Sequence, residues 1–165
     1  MTDREILIRV FAEAMVPKVE WLRAQTGTKR QISAVLSSLT QEIRKLCDAL
    51  ASDDLRPAVS QRAAAVAREI GVDLYEQTWH TQTRFDPGRR VFHLEHVVPV
   101  EAVRAGAVSA ANVDAIIRVL HSLKIAWILK EEDATLTRLG YGTRRPDPVS
   151  AYAHAEIVLI DGKAK

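Results

Sequence analysis

The spacing of apolar residues divides the chain into a helical first part and a mixed second part. Ile6, Leu7, Val10, Phe11, Ala14 and Met15 recur at three- and four-residue steps, which puts them on one face of a first helix. Pro17 removes a backbone donor and predicts a kink or an end, with Trp21 and Leu22 continuing beyond it. Gly27 breaks the chain again, and Thr28 can cap the next helix. The cleanest stripe is Ile32, Val35, Leu36, Leu39, Ile43, Leu46, Cys47 and Leu50, a second helix. A third runs through Val59, Ala63, Val66, Ala67 and Ile70, with Pro57 near its first turn and Gly71 near its end.

The pattern changes after about residue 75. Gln77 to Arg90 is polar and contains Asp86-Pro87-Gly88, a turn leading into the apolar run Arg90 to Leu94, which reads as a strand. Past Pro99 a short helix, Val100 to Ala105, is followed by Gly106. A further helix from about Ser109 to Leu123 carries Val113, Ile116, Ile117, Leu120 and Leu123 on one face. Lys124 to Leu129 reads as a second strand. Lys130 to Gly140 reads as a helix with acids in its first turn, where the dipole favours them, and Gly140 as its end. Arg144 to Pro148 is extended, and a last helical piece lies near Val149 to Ile157. The expected fold is α+β and mostly helical. A helical bundle or extension (1–75) precedes a strand–strand–helix module (76–145), and a tail with a short helix (146–165) closes the chain.

Composition narrows the class. With 165 residues, 47% of them apolar, the chain can bury a core. The single cysteine, Cys47, excludes a disulfide within the chain and a zinc site of paired CxxC motifs, and its apolar helical face makes it a small buried hydrophobe. Asp3, Arg4 and Glu5 do not read as a signal peptide. The run Ile116 to Leu129 is broken by Arg118, His121 and Lys124, short of the roughly 20 residues a bilayer demands. A soluble, cytoplasmic protein is expected. The net charge of +2 does not mark a nucleic-acid binder. Its distribution says more, because Arg84-Arg89-Arg90 and Arg138-Arg144-Arg145 flank one stretch of candidate chemistry.

That stretch is His93-Leu94-Glu95-His96-Val97-Val98-Pro99. A carboxylate able to hold a hard divalent cation adjoins an imidazole able to take a proton from water, which is most of what a one-metal phosphodiesterase needs. His93, Glu95 and His96 form HxEH, one residue short of the HxxEH spacing of inverted zinc peptidases. On a strand, His93 and Glu95 share a face and His96 lies opposite. His80, His121 and His154 have no partners at ligand spacing, and Trp127 belongs to the core.

Glu95-His96-Val97-Val98-Pro99 resembles the first motif of the HNH, or His-Me finger, endonucleases. Ile125 to Asp133 resembles that family's second strand running into its metal-binding helix. The resemblance covers roughly residues 88 to 148 and leaves the first 75 unexplained. It implies a ββα-metal module that hydrolyses DNA, expected to be double-stranded, with a Mg²⁺ or Mn²⁺ ion held by Glu95 and Asp133. His96 is then the general base, and His93, His121 and Glu132 are supporting residues. Arg89, Arg90, Arg144 and Arg145 fall beside the scissile bond as phosphate contacts. The family's middle Asn is missing: its slot is near Lys124, and Asn112, the only asparagine, falls within the preceding helix. The connection between the two motifs is also long. An inactive module of the same kind, binding nucleic acid or a protein, is the alternative; a helical regulator with no nucleic-acid role is a third. The amphipathic N-terminal helices would suit a homodimer.

Overall fold

The computed structural model describes residues 2–53 and 56–161. In chain order these form α1 (Asp3–Arg23), α2 (Lys29–Asp53), β1 (Ala58–Ser60), α3 (Gln61–Glu69), a 3-10 turn (Leu74–Glu76), α4 (Gln82–Phe85), β2 (Phe92–His96), α5 (Val100–Ser109), α6 (Val113–Leu120), β3 (Ile125–Leu129), α7 (Lys130–Arg138), α8 (Pro148–His154) and β4 (Leu159–Ile160). The class is α+β and mostly helical, with one small mixed sheet. No helix among the described residues is long and apolar enough to cross a membrane.

The packing forms two compact units that interleave along the chain. One takes the residues up to Cys47 together with Val100–Leu123; the other takes Asp48–Pro99 and the residues from Lys124 onward. This differs from the division at residues 75 and 145. Local periodicity marks elements, not which elements share a core.

The helical unit contains α1, most of α2, α5 and α6. Thr2 and Glu5 close a capping box at the start of α1. The helix runs unbroken through Pro17, against the expected kink or end. Its buried residues are Ile8, Ala12, Met15 and Val19, while Ile6 and Val10 of the expected stripe are exposed. A proline costs one hydrogen bond and one close contact, and a helix of 21 residues with a buried face absorbs that loss. The stripe expected on α2 is buried as read from Leu39 to Leu50. Lys18 pairs with Glu42, and Arg104 donates to Thr40 (2.9 Å), tying α1 and α5 to α2. Asn112 caps α6 through Ala115 N–H instead of lying inside a helix. The long connection between the two motifs is therefore a pair of helices belonging to this unit.

The sheet unit has strand order β2-β3-β1-β4, with β2–β3 and β1–β4 antiparallel and β1–β3 parallel. Val59, expected in a helix, lies in β1; three residues joined to two neighbours are too short to show a period. Every residue of β3 is buried, so one apolar cluster packs on each sheet face. Ala58, Ala126, Ile128, Leu136, Tyr152 and Ile157 fill the α7–α8 face. Val59, Ala63, Phe92, Trp127 and Leu129 fill the α3 face. Phe85 meets Phe92 and Trp127 edge-on.

The entry into β2 is fixed by one carboxylate. Buried Asp86 accepts N–H groups from Arg90 (2.9 Å), Val91 (3.1 Å) and Phe92 (2.9 Å), and the Gln82 amide (3.0 Å). Burial alone would raise its pKa, but these bonds outweigh it and hold the group below its ordinary 3.8. Asp86→Ala leaves several main-chain donors without their acceptor and should destabilise the sheet unit by roughly 2–3 kcal/mol at neutral pH in urea unfolding. A folded pKa below the unfolded one gives stability that is present above 3.8 and lost as pH falls through the folded value, so the gap between parent and variant should close in acid.

Candidate metal centre

Strand alternation and helix rotation together assemble the site. On β2, His93 pairs with Ile128 and Glu95 with Ala126, so both side chains leave on the α7–α8 face of the sheet. Strand β3 then runs directly into α7, whose first turn holds three consecutive acids. Successive helical residues point about 100° apart, and the three acids take three tasks. Glu131 pairs with Arg62 of α3. Glu132 turns inward and accepts from Leu129 N–H (2.7 Å) and the Ser60 hydroxyl (2.6 Å). Asp133 turns toward β2.

His93, Glu95 and Asp133 thereby each offer one ligand atom within 4.8 Å of the others. His93 Nε2 lies 2.9 Å from Glu95 Oε2 and 3.9 Å from Asp133 Oδ1. Around an ion with bonds of about 2.1 Å, adjacent ligands sit roughly 3 Å apart and opposite ones about 4.2 Å, so these spacings suit a small oxygen-preferring cation. Glu95 is nearly buried, whereas the side chains of His93 and Asp133 keep 27% and 31% of their exposure, leaving the cluster open to solvent on one side.

Glu95 is held by a buried guanidinium. Arg145, whose side chain is 1% exposed, pairs with Glu95 Oε1 and also donates to the main-chain oxygens of Tyr141, His96 (3.2 Å), Val97 (3.3 Å) and Gly142 (3.3 Å). Burial would raise the Glu95 carboxyl, but the hydrogen bonds from His93 and Arg145 and the Arg145 charge overcome it and hold it below 4.5. The same buried environment, with the Glu95 charge adding to it, pushes the Tyr152 hydroxyl well above its ordinary range. Lys130 Nζ stands 3.5 Å from His93 Nδ1. An ammonium only donates, so this placement suits an imidazole that accepts at Nδ1 and donates from Nε2 to Glu95.

Several sequence assignments change. His93, expected as a supporting residue, replaces His96 beside the two acids. His96 ends β2 one residue out of phase with Glu95, on the opposite face, and its carbonyl is the part Arg145 engages. Glu132 is a cap, tied to the start of its own helix. His121 lies in the helical unit, beside Glu5, Arg9 and Ile117. Arg145 cannot serve as a phosphate contact, because its donors are spent internally; Arg144 is exposed. Arg90 is exposed, and Arg89 lies over the Trp79 ring. The period of two in β2 was the signal for His93; nothing local marked Arg145 as the partner of Glu95, fifty residues away.

Removing one member of a buried ion pair strands the other, at about 3–5 kcal/mol. Arg145→Met should therefore destabilise the sheet unit by that amount in denaturant titration, and adding Glu95→Gln should restore a large part. An unchanged midpoint for Arg145→Met alone would show the pair to be unimportant to the fold.

Comparison of the chain with protein families, with curated proteins and with solved structures gave no match.

Proposed function

We propose that the sheet unit is a divalent-metal-dependent phosphodiesterase acting on DNA, with His93, Glu95 and Asp133 as the ligands of a Mg²⁺ or Mn²⁺ ion and a ββα-metal arrangement built from β2, β3 and α7. The observation that carries this reading is the convergence of one imidazole and two carboxylates, from a strand and the helix after its antiparallel neighbour, at ligand spacing on an open face. An ion held there would supply Lewis-acid stabilisation of charge on a scissile phosphate and acidify a bound water.

The chain's own groups prepare for that chemistry. Arg145 occupies Glu95 Oε1 and leaves Oε2 for the centre, which makes Glu95 a single-oxygen ligand. It also offsets one of the two carboxylate charges. Binding through His93 Nε2 requires its proton to move to Nδ1, which displaces Lys130, an exposed side chain with room to swing away. Arg90 and Arg144, both exposed, are the available phosphate contacts in this reading.

One observation favours a second reading, an inactive module of the same build. Both oxygens of Glu95 already have protein partners, Arg145 and His93, so the cluster is satisfied with protein groups alone.

Calorimetric titration with Mn²⁺, paired with nicking of supercoiled DNA in Mg²⁺ or Mn²⁺, separates the two. The parent should bind one ion and cut. His93→Ala and Asp133→Ala should each lose more affinity than the roughly 10- to 100-fold that removing an outer partner costs, and cutting with it. His96→Ala should keep ion binding; a drop in cutting of about 10²- to 10⁴-fold with binding intact would give it back the role of base. No ion uptake by the parent leaves the inactive module.

A further inference from the structure

We infer that the turn carrying Trp79 and the loop carrying Arg89 and Arg90 form a stacking platform for single-stranded nucleic acid. This goes beyond the hydrolase reading by assigning a ligand class to a second surface of the sheet unit.

Trp79 and His80 are the two central residues of a turn closed by Thr81 N–H to Thr78 O (3.1 Å), with the Thr81 hydroxyl accepting from Thr78 N–H (2.9 Å). Trp127 Nε1 donates to Gln77 O (3.4 Å) and ties the base of this turn to β3. Trp79 is thus held at the tip of an anchored turn with 40% of its surface in water, an unfavourable place for a large apolar ring. The Arg89 guanidinium lies 3.6 Å above the ring centroid and donates to Trp79 O (3.3 Å).

Arg89 reaches that position through a left-handed backbone, φ 51°, next to Gly88 at φ 73°. A non-glycine residue there is strained, and the strain persists because Asp86 fixes the following amides. Neighbouring Arg84 and Arg90 are exposed, and among the described residues none of the three arginines forms an ion pair. A flat ring backed by a guanidinium suits a base, and guanidinia without a carboxylate partner suit phosphates. Arg90 lies just before β2, and its backbone N–H is fixed by Asp86, so the cationic rim of the platform is anchored to the start of that strand. A duplex keeps its bases stacked on each other and offers no free face to Trp79. The cationic surroundings argue against insertion into a bilayer core, which needs apolar neighbours.

The test uses a fluorescein-labelled thymidine oligonucleotide of about 15 nucleotides and a duplex of equal length, in EDTA so that binding is read without cleavage. The single strand should bind at least about fivefold tighter than the duplex and quench tryptophan emission. Trp79→Ala should weaken single-strand binding by at least about fivefold and abolish the quench, Trp79→Phe should retain most of the affinity, and Arg90→Ala should reduce the salt slope by about 0.7. Equal binding of strand and duplex, or unchanged binding by Trp79→Ala, overturns the proposal. So does a blue shift of emission on anionic phosphatidylserine vesicles without any oligonucleotide quench. Quenching together with failure of the parent to take up Mn²⁺ supports the platform and removes the hydrolase reading, so the two fail separately.

Discussion

A single guanidinium organises the centre of the sheet unit. Arg145 reaches the carboxylate of Glu95 and the carbonyls of His96 and Val97 from a segment fifty residues downstream, and it does so almost out of solvent, being 4% exposed. Two opposite charges out of water are tolerated only when the remaining donors are engaged, and here the carbonyls of Tyr141 and Gly142 take them up. The end of β2 and the loop before α8 are consequently one structure. Against the effect of burial, the hydrogen bond from His93 and the bond and charge of Arg145 hold the Glu95 carboxyl below 4.5.

From that fixed point the remaining geometry follows from periodicity. A period of two along β2 brings His93 to the same side as Glu95, and a rotation of about 100° per residue along α7 sends Asp133 to meet them while Glu132 closes the helix start. The cluster is rigid at Glu95 and open at His93 and Asp133. A supported floor and an accessible rim are what the proposed metal centre needs. Asp86 does for the beginning of β2 what Arg145 does for its end, through main-chain amides in place of carbonyls. The five residues of the strand are therefore pinned at both termini by buried charges.

The interleaving of the two units explains why the motif is stretched along the chain. Helices α5 and α6 interrupt the sequence between β2 and β3, yet they pack with α1 and α2, so β2 and β3 remain neighbours with an unbroken antiparallel register from Phe92–Leu129 to His96–Ile125. A long connection costs little in closure entropy when it folds into a core of its own.

The sequence by itself determined the elements with long, regular periods: α2 from Leu39 to Leu50, β3 as an apolar run, α7 with acids in its first turn, and the candidate chemistry near Glu95 and Asp133. Those signals are local, carried by residues three, four or two apart. Tertiary structure decided the rest. Val59 became a strand because β3 and β4 lie on either side of it, and α1 buried Ile8 and Ala12 instead of Ile6 and Val10 because its neighbours chose the face. Arg145 left the surface because a buried carboxylate was waiting, and His93 displaced His96 because the face of β2 that meets α7 is set by register with β3. Each of these depends on partners distant in the chain, and no window of neighbouring residues contains them.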